Sequence, residues 1–295
     1  MAAPDETPGY RPLTGGMAGL LWTAGVLVFL AGFQLFVLTE STERYFAWTI
    51  DPPLTAAFLG ASYWSSAVFE WTAARRRYWG EARIAVPGVF TFTALTLIVT
   101  LIHLDRFHLG SEFATITRTV TWLWIAIYVT VPLLMAALWI RQQTMPGTDS
   151  GAGVGLPGWL RILLAIHAVG LGAFGIGLLA APDYTGPMWP WSLTPLTGRA
   201  IGAWLVSLAV VAVHLLWSNS ARAVRPAGRA YLVFGILQAV ALVRYPDDLA
   251  WSSPAGIVYL AFLTSAVIIG TAIVVYGRAF LASEPWEEEP KWSRT

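Results

Sequence analysis

The sequence predicts an all-α membrane protein: a polytopic bundle of eight transmembrane helices, arranged as two parallel four-helix repeats with both termini on one side. Three observations lead there. Of 295 residues, 56% are hydrophobic and only 12% are charged. That is about half the charged share of an ordinary soluble domain, so the surplus apolar surface needs lipid to cover it. Apolar stretches long enough to cross a ~30 Å hydrocarbon core recur along the chain. One local sequence pattern also occurs twice.

The expected spans are about 17–39, 54–74, 84–104, 119–140, 160–181, 198–217, 230–244 and 254–276. A β-barrel would need strands that alternate apolar and polar residues, and the run from Ile257 to Val275 shows no alternation. The first span is too long for a signal-peptide core. It follows Asp5 and Glu6 without a small-residue cleavage site, so it is expected to remain as an anchor. The second, sixth and eighth spans are preceded by Asp51-Pro52, Thr194-Pro195 and Ser253-Pro254, each a capping side chain before a proline suited to the first helical position. In the fifth, Gly170, Gly172, Gly175 and Gly177 give the small-residue spacing that lets helices approach closely. The seventh is short between Arg229 and Arg244, spanning ~21 Å, which predicts snorkelling arginines or a helix that ends at a cavity.

Basic residues set the orientation. With the N-terminus inside, Arg11, Arg75, Arg76, Arg77, Arg83, Arg141, Arg161, Arg222, Arg225, Arg229, Arg278, Lys291 and Arg294 fall inside, and Arg44, Arg106, Arg118, Arg199 and Arg244 outside. This bias predicts both termini in the cytoplasm. Arginine outnumbers lysine seventeen to one, which suits a GC-rich bacterial genome and hence a bacterial cytoplasmic (inner) membrane.

The repeat is read from WTIDPPLTAAFLGA (Trp48 to Ala61) and WSLTPLTGRAIGA (Trp191 to Ala203). With one gap, Trp48 matches Trp191, Pro52 matches Pro195, Leu54 and Thr55 match Leu196 and Thr197, and Gly60 and Ala61 match Gly202 and Ala203. After a short deletion Arg106 falls on Arg244. The expected organisation is a cytoplasmic tail (1–16), a first repeat (17–141), a Gly- and Pro-rich flexible linker (142–158), a second repeat (159–277) and an acidic tail (278–295). Four spans are an even number, so the halves cross the membrane in the same sense, about an axis along its normal.

Candidate functional residues fall into three groups. At the outer face, Arg106, Arg244 and Arg199, with Trp48, Trp191 and Tyr245, would suit an anionic solute or lipid headgroup beside outward-facing helix N-termini. The alternative is an interfacial tryptophan belt with the arginines paired to Asp51, Asp105, Asp247 and Asp248. Second, Tyr63, Ser66 and Glu70 share one face of the second span, and Thr96, Thr100 and His103 one face of the third, with Gln238 in the seventh. Lipid satisfies none of these groups, so they are expected to line a polar path inside the bundle. Glu70 has a rival role as a structural ion pair with Arg75–Arg77, and the threonines as donors to their own helix carbonyls. Third, His167 and His214 are conceivable ligands of a b-type haem, although histidines bonded to a neighbouring hydroxyl are commoner.

No metal site and no cofactor is predicted. The absence of cysteine removes disulfides, thiolate metal sites and cysteine nucleophiles. Net charge is only +1, which gives no support for a nucleic-acid partner. Gly153, Gly155 and Gly158 spell a dinucleotide-type glycine pattern without a preceding strand. There is no Walker loop, H-E-x-x-H or G-x-S-x-G, so the reading leans away from an enzyme. It favours a pseudo-symmetric carrier or binding protein with an outward-facing pocket, against a non-catalytic scaffold or a haem protein. Protein purified after haem-replete expression should therefore show no Soret band; a stoichiometric band would establish haem.

Overall fold

The structure, a computed structural model, describes residues 9–149, 155–221 and 223–283. Gly153, Arg222, Lys291, Arg294 and the acidic run Glu287–Glu289 lie outside the described residues. Among the described residues eight long helices form: α1 (Gly15–Phe36), α2 (Pro53–Ala74), α3 (Ala85–Ile102), α4 (Thr115–Gln143), α5 (Gly158–Ala180), α6 (Pro195–Ser218), α7 (Arg225–Arg244) and α8 (Pro254–Ser283). Seven of them are long and apolar enough to cross a membrane, which supports a multi-pass helical membrane protein. The exception is α2, which carries Ser62, Tyr63, Ser65, Ser66 and Glu70.

Its surroundings explain the exception. Seventeen of the 22 residues of α2 are buried, and none is exposed. It lies between α1 and α7, so protein rather than lipid covers its polar groups. Burial grades outward from there. Over half of the apolar window is buried in α3, α6 and α7, but a third or less in α1, α4, α5 and α8. Four inner helices are thus jacketed by four lipid-facing ones.

The same helix pairs recur along the chain. α1 packs on α2 as α5 packs on α6; α2 packs on α7 as α3 packs on α6; and α3 packs on α4 as α7 packs on α8. Glycines permit the first of these contacts. A Cβ at Gly60 would come within 2.5 Å of the Phe36 backbone nitrogen, and one at Gly202 within 2.8 Å of the Gly175 carbonyl. Both neighbours are backbone, which side-chain rearrangement cannot relieve.

Helix starts follow the proline signals with one change. Thr194 caps α6 in a full capping box, and Ser253 Oγ accepts from Gly256 N at 3.0 Å. At α2, however, Pro52 occupies the N-cap in an extended conformation, so Asp51 is one residue too early to cap. Asp248 accepts from Leu54 N instead, at 3.1 Å, and brings a carboxylate to the positive helix end. The expectation of a short seventh span also changes. α7 is 20 residues long and begins at Arg225, with Pro226 in its first turn, where the fixed φ of proline is preorganised for helix. Its length, about 30 Å, needs no truncated crossing.

The arginine-rich end is tied by the segment before α1. Arg11 N donates to Thr148 O and Trp79 N to Arg11 O. Gln142, fully buried, accepts from Thr14 N and donates to Pro12 O. Asp149 pairs with both Arg11 and Arg83. The start of the expected flexible linker is therefore anchored through Thr148 and Asp149, because these partners offer it hydrogen bonds that a free linker lacks.

Alanine at Gly60 or Gly202 should lower detergent-solubilised stability by about 1–3 kcal/mol, the usual cost of overpacking. Gly170→Ala, where no atom lies within 4 Å of the new methyl, should be neutral or slightly stabilising. Thermal unfolding of the three variants checks this.

Candidate functional site

A cavity of about 50 Å³ lies where the four inner helices meet. At roughly 10–15 Å³ for each water it has room for a few water molecules or a small group. Its wall is built in pairs separated by 142 positions: Ser62 and Trp204, Ser65 and Ser207, Ser66 and Leu208, Phe69 and Val211, Gly88 and Ala230, Val89 and Tyr231, Phe92 and Phe234. Ala227 and Phe262 complete it.

Two crossed hydrogen bonds hold this wall. Ser65 Oγ donates to Ala230 O at 2.9 Å, and Ser207 Oγ donates to Gly88 O at 2.7 Å. Each joins an inner helix of one half to an inner helix of the other, and donors and acceptors keep the 142-residue separation. With their protons committed, the two hydroxyls retain acceptor lone pairs. The buried Tyr231 hydroxyl has no partner among the described residues, so the wall also offers a donor.

Glu70 stands beside the cavity. Ser66, part of the wall, donates to Glu70 Oε1 at 2.8 Å. Glu70 is 1% exposed, and its Oε2 has no partner among the described residues. The expected ion pair with Arg75–Arg77 does not form. Arg75 lies over the Trp22 ring and Arg77 over Tyr78, while Arg76 pairs with Glu81 at 3.7 Å. These arginines follow the last residue of α2, where the chain leaves helical periodicity, so they no longer share the Glu70 face. Burial pulls the Arg76 guanidinium below its ordinary value, opposed by Glu81 and reinforced by Arg229.

The polar stripes are inside the bundle, yet they do not make one continuous path. Tyr63, Thr96, Thr100 and Gln238 are all buried. The Tyr63 and Tyr128 hydroxyls share a hydrogen bond of 2.6 Å. Trp124 Nε1 donates to Thr100 Oγ1, which donates to the Thr96 carbonyl of its own helix; the Thr96 hydroxyl has no partner among the described residues. Gln238 belongs to a separate network, donating to Phe58 O at 3.0 Å and accepting from Tyr259 OH at 3.1 Å.

At the tryptophan-rich end the residues expected to form an outer pocket engage several different partners. Arg106 is exposed and pairs with its neighbour Asp105 at 3.1 Å. It lies past α3 in the turn Leu104–Arg106, whereas Arg244 is the last residue of α7, so the two do not hold matching positions. Arg244 donates to Phe36 O, Thr39 Oγ1 and Tyr245 OH, and Tyr245 also bonds Thr39. Arg199 donates to Leu179 O at 3.0 Å and to His103 Nε2 at 2.8 Å. Arg244 and Arg199 thus serve carbonyls in the last turns of α1 and α5, where the helix dipole favours a cation. Trp48 is packed among Phe46, Phe107 and Trp124, and Trp191 bonds Thr55 Oγ1 at 2.9 Å among Trp189 and Tyr259. None of these six residues lines the cavity.

The two candidate haem histidines have different partners. His167 shares a 2.8 Å hydrogen bond with Ser265 and packs against Tyr231 and Phe262. His214 bonds the Val210 carbonyl of its own helix and lies beside Trp217. No ring contact joins the two among the described residues.

Sequence reasoning missed Ser65, Ser207, Tyr231 and Tyr128. The two serines were within reach of it, because the register that matches Leu54 with Leu196 places Ser65 on Ser207 eleven residues later. No protein-family model matches the chain, and no curated protein or solved structure matches it either.

Burial and the adjacent Arg199 guanidinium pull His103 below its ordinary value of 6.5. Just below that value the unfolded chain then binds more protons than the fold, so stability falls as pH drops through this range. His103→Gln keeps an acceptor for Arg199 without a titrating ring. Its thermal midpoint should lose less than that of the native protein between neutral and mildly acidic pH, and equal losses would exclude the effect.

Proposed function

We propose that this chain is an internally duplicated carrier or binding protein for a small solute, and that the axial cavity is its site. The observation that carries the reading is the construction of the cavity wall from seven residue pairs at one sequence separation, braced by two crossed serine bonds at that same separation. Two halves of four helices, related by an axis along the membrane normal, meet at this place. Repeat interfaces near mid-membrane are where solute sites of secondary transporters form. All eight long helices cross the bilayer in this reading, and the arginine bias puts both termini on the cytoplasmic side of a bacterial inner membrane.

The chemistry of the wall sets the class of solute. Among the described residues no arginine lines it, so the anionic ligand suggested by the arginines of the tryptophan-rich end loses its support there. Serine and tyrosine hydroxyls among phenylalanine, tryptophan and aliphatic side chains suit a small, uncharged, partly polar molecule. The lipid bilayer is the other partner.

The native chain has no cysteine, so single-cysteine variants report on the cavity without background. Ser65→Cys and Ser207→Cys in proteoliposomes should react with a small, charged thiol reagent. Val169→Cys, on a lipid-facing and 72% exposed position, should not. If both cavity cysteines stay as unreactive as Cys at 169, no aqueous route reaches the cavity and the carrier reading is withdrawn in favour of a sealed scaffold.

A further inference from the structure

We propose that Glu70 is a proton-binding site, with Oε2 as the atom that takes the proton, and that Ser66 couples its state to the axial cavity. This deepens the carrier reading and rests on it. The geometry has three parts. Glu70 is enclosed, with one oxygen held by Ser66 and the other unpartnered. Ser66 itself lines the cavity. Among the described residues no ion pair to Glu70 is found; Arg11 and Arg83 pair with Asp149, Arg76 with Glu81, and Arg106 with Asp105. An ionised carboxylate kept in a bilayer without a counter-ion is costly, so the site requires a positive partner. A bound proton supplies one without enlarging the space.

The groups facing Glu70 leave that role to the proton. On its own helix the titratable neighbour is Tyr63, bonded to Tyr128 of α4, and Tyr128 lies within electrostatic reach of Glu70. From α7, Tyr231 lines the cavity, while Arg225 and Arg229 occupy the first two turns of that helix. α1 and α3 contain no titratable residue. On α6, His214 and Arg199 are bonded to Val210, and to Leu179 and His103. Beyond the end of α2, Arg76 is engaged by Glu81. A hard metal cation gathers about six or more oxygens, whereas among the described residues Glu70 brings only its own two oxygens and Ser66 Oγ together. The exchange is of a proton alone: it binds at Oε2 and leaves it again, with no bond to carbon formed or broken.

Infrared difference spectra of the protein in nanodiscs, recorded between mildly alkaline and mildly acidic pH, test the assignment. The native protein should gain a carboxylic-acid C=O band that Glu70→Gln lacks. Ser66→Ala should keep the band and move it to higher frequency, because the carbonyl oxygen has lost its donor; this variant also serves if Glu70→Gln does not fold. A band set unchanged by both substitutions overturns the proposal. Loss of the acid band on adding sodium at fixed pH overturns it too, in favour of a metal cation. Coupling is read from thiol labelling of Ser207→Cys across the same pH range, with and without Glu70→Gln. The ratio of the two rates cancels the thiol's own titration, and it should change several-fold. A constant ratio refutes coupling. If Ser207→Cys still labels while the band is insensitive to Glu70, the proton site fails and the carrier reading stands; if it labels in neither background, both fail.

Discussion

The bilayer interior offers no hydrogen-bond partners, and the arrangement of this protein follows from that single constraint. A polar side chain on a spanning helix has to find its partner in the protein. α2 carries more such groups than its neighbours, and it is the helix with no exposed residue. Its neighbours accept their position accordingly: α1 and α7 cover it, while α4, α5 and α8 turn long apolar faces outward. The gradient of burial from inner to outer helices is the same constraint expressed in packing.

Within that frame the inner helices are joined by few polar contacts, each with a definite task. The Ser65 and Ser207 bonds cross between halves at the cavity. Gln238 holds the Phe58 carbonyl and Tyr259. At the tryptophan-rich end, Arg244 and Arg199 serve the last-turn carbonyls of α1 and α5, and Asp248 serves the first turn of α2. These outer groups lie where helix ends leave backbone atoms unsatisfied, which explains why Arg244, Arg199 and Asp248 are engaged there. The cavity lies instead among the middle turns of α2 and α6 and the opening turns of α3 and α7, where small and hydroxyl side chains shape a space.

Much of the architecture was legible in sequence. Each of the eight expected spans coincides with a long helix, with ends displaced by up to a few residues at most of them. Where the displacement was larger, as at the start of α7, charge had been read as the end of the span, whereas Pro226 allows helix to begin before Arg229. The inward placement of Tyr63, Thr100 and Gln238 followed from polarity. Ser65 and Ser207 were legible only through the 142-residue register. Tyr128, Tyr231 and the partnerships of Arg199 and Arg244 carried no local signal, since each depends on a residue distant in sequence.

Sequence by itself determined the medium, the helices and the inward-facing groups, because burial in lipid penalises polar atoms one residue at a time and that penalty is visible in composition and periodicity. Tertiary structure decided which polar groups meet. Among the described residues Glu70 has no cation partner although three arginines follow it by a few positions, and Arg106 and Arg244, alike in sequence context, part company. Such outcomes turn on where a helix stops and which neighbour crosses it, and only the packed chain fixes both.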